Sequence, residues 1–211
     1  SEIARQPFDK KIFFENYYRS NEPVILTGLF DENSALSRWS PEYLKSAFGN
    51  LSVEVQRGRE KDFDYELNLD KYRTRILLGE FVDLIQSSSP NNDAYMCANN
   101  RALDNDLGLL FEEIPPIPNL LNSNKAKTQA FIWFGPEGTI TPFHYDLMNV
   151  LLYQVYGKKQ FVIAPPEATP LMYNELGVFS KVDYFGDYSM CPLFKEVPLI
   201  TDVLNSGEAL F

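Results

Sequence analysis

From residue 129 onward the chain is cut into short apolar runs, 129–134, 150–156 and 160–164, separated by Gly135-Pro136, Gly157-Lys158-Lys159 and Pro165-Pro166. Runs this short suit strands that cross a core once and fall short of an ordinary helix. Gly157-Lys158-Lys159 reads as a hairpin turn joining the last two runs, and Gly207-Glu208-Ala209-Leu210-Phe211 begins one more strand. The first half is patterned differently. Residues 7–19 read as an amphipathic helix with Phe8, Ile12, Phe13 and Tyr17 on its apolar side, stopped by Asn21-Glu22-Pro23. A short buried strand follows over 24–28. Ser40-Pro41-Glu42 is a helix start, with Ser40 as N-cap and Pro41 in the first position, and Gly49 closes that helix. Residues 51–56 alternate as a half-buried strand, 79–86 form a second helix, and 94–98 another strand. The proline-rich stretch 109–121 reads as an ordered crossing. Helices followed by many short strands predict a single, mostly β domain of sandwich or jelly-roll type, with a helical and strand elaboration over 1–128 and the β core over 129–211.

The only histidine of the chain, His144, lies between two of the apolar runs in Thr141-Pro142-Phe143-His144-Tyr145-Asp146. On a strand, residues two apart point to one face, which sets the imidazole beside the Asp146 carboxylate. Such a pair can supply two of the three ligands of a 2-His-1-carboxylate centre, which holds non-haem Fe(II) and leaves positions open. The tripeptide alone equally describes a histidine bonded to a neighbouring carboxylate. Charge narrows the partners. The formal net charge is -10, and the densest basic spots, Arg57-Gly58-Arg59 and Lys158-Lys159, are too short to track a phosphate backbone. Cys97 and Cys191 form no C-x-x-C pair and read as reduced thiols. No apolar run is long enough to span a bilayer, and no leader pattern stands at the N-terminus. The expectation is a cytoplasmic protein, or a nuclear one in a eukaryote, with no membrane partner.

Beyond these elements the chain resembles, over nearly all its length, the JmjC and cupin-like family of Fe(II)- and 2-oxoglutarate-dependent oxygenases. The resemblance rests on Phe13-Phe14-Glu15-Asn16-Tyr17, Glu22-Pro23-Val24-Ile25-Leu26-Thr27-Gly28, Trp39-Ser40-Pro41-Glu42-Tyr43-Leu44, and above all on the run from Phe134 to Asp146. Gln154-Val155-Tyr156-Gly157-Lys158-Lys159 follows at the family's distance, and Gly207-Glu208-Ala209-Leu210-Phe211 matches a later landmark. The likeness is greater to the family's small protein and transfer-RNA hydroxylases than to its many-domained histone demethylases. It implies a double-stranded β-helix and a hydroxylase using Fe(II) and 2-oxoglutarate. It also implies roles: His144 and Asp146 as metal ligands, Lys159 on the distal carboxylate of 2-oxoglutarate, Thr141 on the same carboxylate, and Tyr95 hydrogen-bonded to the co-substrate.

Two departures stand out. Relatives carry an asparagine six residues after the histidine, where this chain has Val150, with Asn149 one earlier. A one-residue offset on a strand flips the face, so Asn149 reaches the co-substrate only through a bulge. The family's distal histidine, the third ligand, has no counterpart up to Phe211, and the chain is expected to be a piece of a longer protein, inactive by itself. The expected substrate is a protein or peptide side chain. A transfer-RNA nucleoside, a small molecule, or a non-catalytic binding or scaffold role are the alternatives, and the assembly of the longer protein is open, a homodimer among its options.

Overall fold

Strand formation begins earlier than the helical pattern of residues 7–19 suggests. Arg5–Pro7 is already a strand, and the helix starts only at Lys10, where the Asp9 carboxylate accepts the Ile12 N–H at 2.9 Å. The computed structural model describes residues 2–62, 64–97, 102–103, 105–117, 120, 126, 128–174 and 177–211. In chain order the strands are β1 (Arg5–Pro7), β2 (Ile25–Thr27), β3 (Ser52–Arg57), β4 (Arg73–Leu77), β5 (Ala94–Tyr95), β6 (Leu152–Tyr153), β7 (Lys158–Ile163), β8 (Ile200–Asn205) and β9 (Ala209–Leu210). The α-helices are α1 (Lys10–Ile12), α2 (Pro41–Phe48), α3 (Leu69–Tyr72), α4 (Leu78–Ser87) and α5 (Gly108–Phe111). These elements fall into two compact units, Ser1–Leu29 with Thr141–Phe211, and Phe30–Ile140.

The split unit draws on both ends of the sequence. One of its sheets has the order β1-β2-β9-β6, with β1 parallel to β2 and β9 antiparallel to both of its neighbours. Of the expected strand 24–28, Val24, Ile25 and Leu26 are buried at 0% exposure, while Thr27 is half-buried and Gly28 exposed. Val24 and Phe211 extend the β2–β9 pairing by exchanging backbone bonds of 3.1 and 2.9 Å. α1 runs on as a π-helix, Phe13–Tyr18, and buried Phe13 meets the Phe211 ring edge-on at 5.0 Å. The other sheet is β7 against β8, antiparallel from Lys158 opposite Asn205 to Ile163 opposite Ile200. Its inner side packs Leu204, Phe161 and Ile163 with Ile3 and Ile25. A second apolar cluster gathers Ala168, Met172, Cys191 and Phe194 around the 3-10 turns Pro166–Leu171 and Pro192–Glu196.

The hairpin expected across Gly157-Lys158-Lys159 does not form. β6 pairs with β9 and β7 with β8. The backbone of Gln154 is taken up by Glu208 and Gly207 at 2.9 and 2.8 Å, and Gly157, at φ +73°, turns the chain out of one sheet and into the other.

The contiguous unit holds the sheet β4-β3-β5 with α2 and α4. Ser40 caps α2 as its sequence predicts, its hydroxyl accepting the Tyr43 N–H at 3.1 Å. α2 ends at Gly49, whose carbonyl accepts the Gly79 N–H at 2.9 Å. A Cβ on Gly79 would stand 3.2 Å from that carbonyl oxygen, so the small residue is what permits the approach. α4 buries Phe81 and Val82, and Phe81 meets Phe134 edge-on at 5.8 Å. The strand expected over 129–134 reduces to one antiparallel bridge, Phe134 with Met96, while Ala130 closes a helical turn onto Ala126 at 2.7 Å. The expected strand 94–98 is ordered as β5 over its first residues. Ala98, and residues 118, 119 and 121 of the proline-rich crossing, lie outside the described residues.

Candidate functional site

The segment Thr141 to Asp146 is extended but is not a full strand. It is tied by one antiparallel bridge between His144 and Phe179, with Ser180 N–H donating to Phe143 O at 2.8 Å and Tyr145 N–H to Val178 O at 3.2 Å. The imidazole tilts against the Phe179 ring at 5.6 Å. Its Nδ1 lies 2.8 Å from the carbonyl oxygen of Pro142. A carbonyl can only accept, so this contact calls for the proton on Nδ1, the tautomer of the imidazole whose Nε2 lone pair faces outward. Fixing one ring nitrogen on a backbone carbonyl is the usual way a metal-ligating histidine is oriented. Nε2 faces Asp146 Oδ2 at 3.8 Å, beyond hydrogen-bond reach. Two donors held about 2.1 Å from one ion stand roughly 3 Å apart at a right angle. The pair therefore fits two adjacent coordination positions after a small closure. Among the described residues no group of three or more His, Cys, Asp or Glu side chains gathers to complete such a set.

Lys159 lies on β7 opposite Leu204, and Phe161 and Ile163 share its face. It is half-buried, and burial pushes its ammonium below the ordinary lysine pKa. A cation on an apolar sheet face is suited to receive a carboxylate, because the incoming charge offsets its desolvation. Thr141 and Asn149 are both exposed. Asn149 stands in a run where Leu147 is 88% and Met148 71% exposed, and no strand covers residues 145–150 to define a face for it.

Tyr95 belongs to the contiguous unit. It is 3% exposed on β5 and lies opposite Gln56 of β3. Its ring is held on two sides. The Arg59 guanidinium carbon stands 5.0 Å from the ring centroid, and Gly135 presses so close that a Cβ there would come 2.6 Å from Tyr95 Cδ2 and 2.8 Å from Thr139 Cγ2. Gly135 thus serves packing on Tyr95 within the motif that begins at Phe134.

Sequence reasoning missed Arg59, filed with Arg57 as a short basic spot. Arg57 is exposed while Arg59 is wholly buried, because Gly58 at φ +83° breaks the strand alternation and turns the next side chain inward. Gly between two arginines is the only mark of this in the sequence. Arg59 reaches Glu66 at 3.1 Å and the Ile140 carbonyl at 2.8 Å, and lies over the Tyr65 ring at 4.2 Å. Near it, burial pushes the Cys97 thiol up to about 12, which leaves it protonated and inert. No helix among the described residues is long and apolar enough to cross a membrane.

The family model described as a cupin-like domain matches residues 10–211. JmjC domain-containing protein D of Dictyostelium discoideum is 27% identical over 240 residues, which cover 99% of this chain and 50% of that protein. Lysine-specific demethylase 8 of Xenopus tropicalis is 27% identical over 214 residues, covering 94% of this chain and 45% of the relative. Lysine-specific demethylase JMJ30 of Arabidopsis thaliana is 28% identical over 211 residues, covering 94% and 47%. The chain spans about half the length of these curated relatives.

Proposed function

This chain belongs to the cupin-like family that takes in the JmjC proteins, and from that membership we propose that the whole protein is an Fe(II)- and 2-oxoglutarate-dependent oxygenase that hydroxylates a protein side chain. JmjC-family demethylases depend on Fe(II) and 2-oxoglutarate. The observation that carries the reading is the His144–Asp146 pair, with Nδ1 anchored on Pro142 O and Nε2 free to ligate 3.8 Å from Oδ2.

In this reading His144 and Asp146 hold two positions of the metal, and a third donor comes from outside the described residues. Bound there with 2-oxoglutarate, the metal supplies the oxygen-activating chemistry. The chain's own side chains bind and orient. Lys159 receives the distal carboxylate of 2-oxoglutarate, Thr141 shares it through its hydroxyl, and Tyr95 hydrogen-bonds the co-substrate. Asn149 joins them only through a bulge. The β core over 129–211 is read as a double-stranded β-helix, with 1–128 as its elaboration. An acidic chain, and relatives named lysine-specific demethylases, favour a protein substrate bearing basic side chains over transfer RNA.

The test is turnover by the whole protein. With Fe(II) and lysine- or arginine-bearing peptides, 2-oxoglutarate is expected to yield succinate, and His144→Ala is expected to abolish both this and Fe(II) retention. Absence of 2-oxoglutarate decarboxylation across peptides, transfer RNA and small molecules leaves a non-catalytic cupin-like binding domain as the better description.

A further inference from the structure

Arg59 is an expensive residue where it sits. Its side chain is 0% exposed, yet only Nη2 finds acceptors, Glu66 Oε1 at 3.1 Å and the Ile140 carbonyl at 2.8 Å. Among the described residues Nε and Nη1 meet no hydrogen-bond partner, nor do the two amide atoms of Gln56 on β3. Each buried donor left unmade carries its full desolvation cost. An apolar side chain of similar volume would fill the space without that cost. A fully buried cation with two nitrogens unbonded is therefore explained better by what it holds than by what it adds to stability.

What it holds is specific. The Ile140 peptide is gripped from both sides. Its carbonyl accepts from Arg59 Nη2 at 2.8 Å and from the Tyr65 hydroxyl at 3.0 Å, and its N–H donates to Asn92 Oδ1 at 2.8 Å. Asn92 in turn reaches the Tyr65 hydroxyl at 3.4 Å, so the gripping groups are tied to each other. Ile140 is the residue joined directly to Thr141, at the head of the segment that carries His144. The same guanidinium lies against the rings of both Tyr65 and Tyr95, at 4.2 and 5.0 Å.

We propose that Arg59 is a positioning residue: one buried guanidinium fixes both the Tyr95 ring and the Ile140 peptide from which the His144 segment departs. It holds the backbone of Ile140, the residue covalently joined to Thr141, and removes freedom from the Tyr95 ring. The part of the inference that concerns the co-substrate rests on the oxygenase reading, whereas the grip on Ile140 does not.

The experiment compares the whole wild-type protein with Arg59→Lys and with the pair Arg59→Met/Glu66→Gln, which removes both charges together. Three quantities are read: Tm, amide exchange across residues 140–146, and 2-oxoglutarate affinity with Mn(II) as a redox-silent metal. The pair is expected to keep or raise Tm. Its exchange at 140–146 is expected to quicken roughly tenfold, and its 2-oxoglutarate affinity to fall by a similar factor, the size set by losing one hydrogen bond to a charged group. Arg59→Lys keeps the charge but loses the planar fork, and is expected to move the last two readouts the same way; it decides the matter alone if the pair does not fold. Unchanged exchange and affinity overturn the proposal. So does a fall in Tm with exchange rising evenly across residues 30–146, which makes Arg59 merely structural. If the wild-type protein binds no 2-oxoglutarate, the oxygenase reading fails and the exchange at 140–146 alone decides the grip.

Discussion

On β7, Lys159 turns the same way as Phe161 and Ile163, and burial holds its ammonium below the usual lysine pKa. Between that lowered value and the unfolded value of about 10.4, the unfolded chain binds more protons than the folded one, so stability rises with pH through that window. At neutral pH the charged lysine is a cost to the ligand-free fold. Lys159→Met, which removes that desolvation, is therefore expected to raise Tm at pH 7 and to lose its advantage as the pH approaches 10. In the oxygenase reading the same substitution abolishes 2-oxoglutarate binding. Parallel melts at pH 7 and pH 10, with a 2-oxoglutarate titration, check both halves; a Tm that falls at pH 7 counts against the burial argument. His144 illustrates a different residue-scale point. Its Nδ1 is held by the carbonyl two residues before it while its ring lies against Phe179, so a local bond and a distant ring together set where Nε2 points.

Among the elements, those whose signal is local were legible and those whose signal is a pairing were not. The N-cap of α2 depends on Ser40 and Pro41, adjacent in the chain, and it forms as read, while the helix ends at Gly49 in right-handed backbone, φ -57°, and not in the left-handed turn of a C′ glycine. β2, β3 and α4 carry their apolar periodicity openly. β4 escaped notice because Arg73 and Arg75 occupy its outward positions and mask the alternation around Ile76. The hairpin at Gly157 was misread because the choice of strand partner is made by residues far along the chain, here Gln154 with Gly207 and Glu208. Of the candidate site, the His144–Asp146 pair is proposed from its spacing, and Lys159, Thr141 and Tyr95 only from family resemblance. Arg59 was not legible, because a glycine's positive φ decides which of two arginines turns inward. Gly135 belongs to this scale too. A methyl group there meets the Tyr95 ring and the Thr139 methyl closer than Cβ atoms tolerate, so Gly135→Ala must displace those two side chains from their packing. It is expected to destabilise the protein by about 1–3 kcal/mol, as overpacking does, readable as a lower denaturation midpoint at unchanged m. An unchanged midpoint would place the Tyr95 ring elsewhere.

At the scale of the molecule, the split unit is fastened by Arg5. Its guanidinium takes Asp202 at 3.0 and 3.2 Å, Glu208 at 3.1 Å and the Val203 carbonyl at 2.9 Å. The Arg5 hydrogen bond, with the Val203 N–H, holds the Asp202 carboxyl below its usual range. Burial works to raise Glu208, but hydrogen bonds from Asn205 and Arg5 outweigh it and the net shift is downward. Carboxyls lowered on folding add stability above their unfolded pKa of about 4, and that contribution is lost as pH falls through the folded values. Arg5 is 39% exposed, so solvent screens much of the attraction and about 1 kcal/mol is the reasonable scale. Arg5→Met is expected to lower Tm by roughly 2–4 °C at pH 7, with the deficit shrinking at pH 3. An equal deficit at both pH values would show that packing of the arginine stem, not charge, is what matters.

β9 sits between β2 and β6, so β2 takes its second neighbour from a stretch far along the chain. As the chain leaves the ribosome, β2 emerges with that edge bare and stays so until Ala209 and Leu210 have been made. The stretch Phe30–Ile140 has no such delay, since its partners are all nearby in the chain. Order of synthesis therefore lets the inserted segment mature first. Until Ala209 arrives, the apolar edge of β2 is open to chaperones and to self-association.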